Sequence, residues 1–169
     1  MAKPLIGISS CLLGFCVRYD GKSNYDPCIA LGLADTAEFL AICPEEQSGM
    51  SIPREPMDLY EVSGEVRLIT VNTGRDMTVV LRNWVENQLS EMKELPIKGF
   101  ILKSGSPSCG FCSARIHRNG VLYRNGTGIF SHALKRSYPD IPAVQDTDLN
   151  SPDKIASFIE LTGGYRAES

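Results

Sequence analysis

The sequence predicts an α/β fold built on a mainly parallel sheet, with helices on both faces and inserted hairpins. Three observations predict it. Short apolar runs suited to buried strands alternate with segments of helical periodicity along the chain. Two turn signatures, Ser63-Gly64 and Asn119-Gly120, interrupt that alternation with hairpins. Finally, three apolar runs each lead to a cysteine at or just past the carboxyl end, at Cys11, Cys43 and Cys109.

The elements follow in order. Leu5–Ser9 is a first strand, with apolar residues on both faces. Residues 15–21 form a loop closing on Asp20-Gly21. Asp26-Pro27 opens a helix that runs to about Ala34, since proline is tolerated in a first turn. Residues 39–43 are the second strand, and residues 44–56, with Pro44, Pro53, Pro56 and Gly49, read as a long loop. Residues 58–62 and 65–71 flank the first turn signature as a hairpin. Asp76 reads as the N-cap of a helix carrying Met77, Val80, Leu81, Trp84, Leu89 and Met92 at helical spacing and ending before Pro96. Phe100-Ile101-Leu102 is the third core strand. It stops in small residues, Ser104 to Ser108, which let backbone approach a bound group closely. Residues 115–117 and 121–123 form the second hairpin, 128–137 a short helix and 142–144 a fourth strand. Ser151 caps a last helix with Pro152 at its first position and Ile155, Phe158, Ile159 and Leu161 on its inner face.

At 169 residues the chain is expected to form one domain, spanning 1–169. A chain of this size buries roughly 70% of its unfolded surface and needs no covalent staple. A formal net charge of −3 argues against a general nucleic-acid binder, so no nucleic acid is expected. No apolar run is long enough to span a bilayer, and the start has no signal-peptide core. The protein is therefore expected to be cytoplasmic, without a membrane partner. Its six cysteines are then read as metal-binding, redox-active or simply buried rather than as structural disulfides.

In an open parallel sheet, ligands sit in the crevice beyond the carboxyl ends of the strands. Cys11, Cys43 and Cys109 are far apart in sequence but would meet at that rim. One such cysteine is ordinarily core filler; three at equivalent strand ends, each near glycine or proline, point to a site. Structural zinc takes four protein ligands, commonly in paired short spacings, which this trio lacks. Iron–sulfur clusters are normally held by four thiolates, so three would leave one iron open, the arrangement of a catalytic centre. Cys16 is a fourth ligand or a spare thiol, and Cys28 is expected in the core. Cys109-Gly-Phe-Cys112 has the form of a dithiol redox motif, although it precedes a hairpin rather than opening a helix. Glu45, two residues past Cys43, should face the same crevice, where a dry setting disfavours its charged form and suits proton transfer. Ser106 and Ser108 are candidates to donate to sulfides or substrate, or to satisfy turn amides. Arg18, Arg54 and Arg115 lie in neighbouring segments as candidate carbonyl binders; His117 and His132 have no nucleophile at supporting spacing.

Six stretches, in order, resemble the bacterial thiouracil desulfidase family: Ile8-Ser-Ser-Cys-Leu-Leu-Gly14, Cys16-Val-Arg-Tyr-Asp-Gly21, Cys43-Pro-Glu45, Pro53-Arg54, Gly74-Arg-Asp-Met-Thr78 and Ser106-Pro-Ser-Cys-Gly110. The resemblance implies a Rossmann-like three-layer sandwich holding a [4Fe-4S] cluster by Cys11, Cys43 and Cys109. It implies Glu45 as catalytic acid/base and Ser106 as catalytic serine. The implied substrate is a small thiolated base such as 4-thiouracil, whose sulfur is replaced by oxygen. Cys112 is a departure, a thiol that the motif does not call for. Two readings of other classes stand beside this one: a non-catalytic iron–sulfur or zinc-binding module, and a dithiol redox protein using Cys109 and Cys112.

Overall fold

The computed structural model describes residues 2–164. In chain order it contains β1 (Leu5–Ser9), α1 (Pro27–Leu33), β2 (Glu38–Ile42), α2 (Pro44–Gln47), β3 (Met57–Val62) and β4 (Glu65–Thr70). There follow α3 (Thr78–Met92), β5 (Ile97–Leu102), β6 (Ala114–Arg118), β7 (Val121–Gly126), α4 (Ile129–Ser137), β8 (Ala143–Gln145) and α5 (Pro152–Leu161). A 3-10 turn, Ser10–Leu13, carries the chain off the end of β1. The expected single domain also takes in residues 1 and 165–169, which lie outside the described residues.

Four strands form an all-parallel sheet in the order β2-β1-β5-β8. Alternation along the strands sends side chains to two separate cores. Ile6, Ile8 and Ile101 pack with Ile29 and Leu33 of α1 and with Ile155, Phe158 and Ile159 of α5. Phe100 and Leu102 point the other way, into a core shared with α3 and α4. Helices therefore cover both faces, as the alternating sequence pattern requires. The central position of β1 leaves little room: a Cβ at Gly7 would lie 2.6 Å from the Phe100 ring.

The two hairpins do more than decorate. Ser63 and Gly64, and then Asn119 and Gly120, turn through positive φ as the sequence predicts. The hairpins then pair with each other, β3 running parallel to β6, to give a second sheet in the order β4-β3-β6-β7. Met57, Leu59, Leu68, Ala114 and Ile116 bury one face of it in the α3/α4 core. Sequence alone placed both hairpins but not their union, which depends on contacts between segments more than fifty residues apart.

Four other expectations need correction. The long loop contains α2, whose first turn starts at Pro44 directly after Cys43. α3 begins at Thr78 with Met77 at its N-cap, although Asp76 still accepts the Thr78 amide at 2.9 Å. Leu161 is 71% exposed, because it falls off the buried stripe of α5 at the last turn. Cys28 is exposed on α1, where Ile29 and Leu33 take the inward positions.

Candidate functional site

The parallel register fixes the rim. Ser9, the last residue of β1, lies opposite Ile42, the last of β2, so Cys11 and Cys43 leave neighbouring strand ends together. Cys109 arrives from the loop after β5, the strand on the other side of β1. All three line one cavity of about 540 Å³, together with Glu45 and Ser106. Its far wall comes from the second sheet, through Met57, Asp58 and Arg115.

The loop that carries Cys109 is held from below by the start of α4. The amides of Phe130 and Ser131 donate to the Ser108 carbonyl at 3.0 and 3.3 Å, and the Ser131 hydroxyl donates to the Cys109 carbonyl. Gly128 makes this approach possible: a Cβ there would sit 2.3 Å from the Ser108 carbonyl group. Above, the Ser106 oxygen accepts the amides of Ser108 at 3.2 Å and Cys109 at 3.0 Å. Ser106 thus satisfies turn amides with its oxygen, which leaves its O–H available to donate.

Burial dominates the state of all three thiols. It raises Cys11, where the Asn24 amide, 3.7 Å from the sulfur, and the charges of Lys103 and Arg18 pull the other way. It pushes Cys43 up to about 11, against the Glu46 amide and the charge of Arg54. It raises Cys109 most, against a hydrogen bond with Ser9; the other two cysteines and Glu45 add to the rise. Such thiols stay protonated near neutral pH unless a positive centre draws off their protons.

Among the described residues, no three His, Cys, Asp or Glu side chains are grouped to hold one metal ion. One zinc ion needs its ligands converging on a single point. An iron–sulfur core instead offers a separate iron to each thiolate, so three sulfurs spaced around a cavity fit it. The remaining cysteines stay apart from this trio. Cys16 is exposed beside the Gly14 carbonyl, and Cys112 is exposed beside the Thr127 hydroxyl. A reactive dithiol needs a thiol of lowered pKa, so a buried, raised Cys109 next to an outward Cys112 does not favour the dithiol reading.

Glu45 sits on α2, and both oxygens of its carboxylate accept hydrogen bonds. Arg54 donates to Oε2 from Nε at 3.0 Å and from Nη2 at 2.5 Å, and the Ser108 hydroxyl donates to Oε1 at 2.9 Å. Both side chains of the ion pair are almost completely buried, Arg54 at 8% and Glu45 at 13% exposure. The sequence predicts Glu45 as an acid in a partly dry crevice and Arg54 as a candidate carbonyl binder; the structure pairs the two with each other. Arg54 also donates to the carbonyls of Val17 and Ser51. Arg18 is likewise committed, donating to Asn24 Oδ1 at 2.7 Å. Neither Asn24 nor Asp58 was singled out from sequence, because nothing in their spacing marks them as neighbours of the cysteines.

A family model described as 2-thiouracil desulfurase matches residues 6–146. The uncharacterized protein YbbK of Bacillus subtilis (strain 168) is 34% identical over 128 residues, which is 73% of this chain and 78% of that protein. The solved structure of TudS, titled a [4Fe-4S]-dependent thiouracil desulfidase, superposes with a TM-score of 0.68 at 34% identity. It covers 94% of this chain and 99% of its own.

Proposed function

Because this chain belongs to the 2-thiouracil desulfurase family, we propose that it is a [4Fe-4S]-dependent desulfidase of thiolated pyrimidines. The reaction replaces the ring sulfur by oxygen: thione plus water gives carbonyl plus hydrogen sulfide. No electrons enter or leave. The substrate is a small thiolated base such as 4-thiouracil, and the whole chain acts as one unit. One observation carries the reading: three thiols from three strand ends share a cavity with a buried, oriented carboxylate. A cytoplasmic setting suits an oxygen-sensitive thiol site. No helix among the described residues is long and apolar enough to cross a membrane.

Cys11, Cys43 and Cys109 would hold the cluster, and no fourth thiol lines the cavity among the described residues. The cluster, when bound with one iron unligated by protein, supplies a thiophilic Lewis acid that polarises the C–S bond. The other work falls to the chain. Glu45 takes a proton from the water that attacks the ring carbon and returns one to the leaving sulfur or a ring nitrogen. Arg54 occupies Oε2 with two donors and Ser108 occupies Oε1 with one, which fixes the carboxylate's direction and leaves a lone pair on Oε1 for this transfer. Ser106 donates its hydroxyl proton toward the substrate, its oxygen being anchored by two amides.

The test is anaerobic reconstitution with iron and sulfide, followed by an assay of 4-thiouracil loss and sulfide release. Glu45→Gln is expected to keep the brown cluster and lose about 100-fold or more of turnover. Full activity in that variant would remove Glu45 from the mechanism.

A further inference from the structure

The cavity wall opposite the cysteine loops carries a cluster that the proposed chemistry leaves unused. β3 and β6 run parallel with Leu59 opposite Ile116 and Tyr60 opposite His117. Strand alternation therefore puts Asp58, Tyr60, Arg115 and His117 on the face turned away from the apolar core. Asp58 is 5% exposed, an unusual burial for a carboxylate, and it is compensated on both sides. Arg115 donates from Nε to Oδ1 at 3.1 Å and to Oδ2 at 3.2 Å. His117 Nε2 lies 2.8 Å from Oδ2, and the His117 ring stacks on Tyr60 at 4.3 Å and 9°. The result is an arginine whose stem is fixed by a buried acid, itself fixed by a stacked histidine.

The other cations lining the cavity are spent. Arg54 holds Glu45 and two carbonyls, Arg18 holds Asn24 and Asp20, and Lys103 holds Asp146 and Ser104. Arg115 differs. Only its Nε is used, and among the described residues its two Nη groups have no partner while the side chain is 44% exposed at the cavity. Two free NH2 groups in a rigid, planar fork are a recognition element for oxygen acceptors. The neighbouring Asp58 balances the guanidinium charge, so the fork offers donors with little net charge. That favours a neutral carbonyl oxygen over an oxyanion.

We propose that Arg115 is the substrate-reading residue, its Nη groups donating to the ring carbonyl of the thiolated pyrimidine on the side away from the reacting sulfur. Asp58 and His117 are its positioning residues. The inference rests on the desulfidase reading for the identity of the ligand, but the fork itself does not. A ring lacking that carbonyl leaves the donors unanswered, which is how a polar pocket rejects an analogue.

The experiment compares wild type with Arg115→Met on 4-thiouracil and on pyrimidine-4-thione, which has the same ring and sulfur but no second carbonyl. The expected result is that the preference for 4-thiouracil, as a ratio of kcat/KM values, falls by about tenfold or more in the variant. The loss should lie mainly in KM. An unchanged ratio overturns the proposal. Equilibrium binding of the two oxo products, uracil and pyrimidin-4-one, gives a reading independent of turnover. Uracil should bind the variant about tenfold more weakly relative to pyrimidin-4-one; equal weakening of both, or none, overturns the proposal. A wild type inert toward both thiones that still shows the binding difference would strike the desulfidase reading and leave the Arg115 subsite standing.

Discussion

The Ser108 hydroxyl donates to Glu45 Oε1 at 2.9 Å, joining α2 to the loop after β5 across 63 residues of sequence. Cys43 caps α2 and Cys109 follows Ser108, so the bond ties the acid to the thiol-bearing rim through the oxygen that Arg54 does not use. Ser108 is 1% exposed, so its hydroxyl is shielded from bulk solvent. Ser108→Ala is predicted to lower kcat/KM by about tenfold to a hundredfold, the worth of a hydrogen bond to a charged group. Iron content should stay at the wild-type level. Unchanged kinetics would show that Glu45 is held well enough by Arg54 alone.

Arg54→Met is predicted to be the more damaging change. It leaves the Glu45 carboxylate buried without its cation, at a cost of about 3–5 kcal/mol in stability. Adding Glu45→Gln to it should recover part of that loss, because the stranded charge is then gone. Denaturant midpoints of the metal-free single and double variants check this. A double variant less stable than Arg54→Met would contradict it.

Gly128→Ala tests the support beneath Cys109. Gly128 has φ −58°, which any residue adopts, so the obstacle to a methyl group is steric: the Ser108 carbonyl group 2.3 Å away and the Cys109 nitrogen 2.7 Å away. Either α4 or the cysteine loop must move. The expected destabilisation is about 1–3 kcal/mol, with a fall in iron retained after reconstitution. Full stability and full iron loading would mean that the loop is not braced by this contact.

The pH dependence has a definite sign. Cys43 is pushed up to about 11 by burial, above an ordinary thiol at about 8.5. The folded chain then holds this proton more tightly than the unfolded chain does. The stability this contributes is fully present below the ordinary thiol pKa and is lost as pH rises toward about 11. Metal-free protein, kept reduced, should therefore lose stability over that window, and Cys43→Ser should lose less. Urea midpoints measured across it decide; parallel curves for the two proteins would remove Cys43 as a contributor.

Much of this molecule was legible in its sequence, for local reasons. Pro27 and Pro152 at first helical turns, Ser63-Gly64 and Asn119-Gly120 at hairpin turns, and the apolar run of β5 all act within a few residues. The convergence of Cys11, Cys43 and Cys109 was legible because a parallel sheet forces strand ends onto one rim. Non-local polar pairing is not legible in this way. Nothing in the spacing of Glu45 and Arg54 shows that the arginine is committed to the acid, because the pair forms only through the path of the chain between α2 and Pro53-Arg54. Asp58 read as an ordinary strand residue, because its burial arises only when β3 pairs with β6.

In the proposed function three thiols, and no more, hold one four-iron core. The most direct test is the iron and labile-sulfide content of the anaerobically reconstituted variant carrying Cys16→Ser, Cys28→Ser and Cys112→Ser together. This variant retains only Cys11, Cys43 and Cys109. The prediction is about four irons and about four sulfides per chain, as in wild type. A content that falls to a small fraction of the wild-type value in this variant would contradict the account.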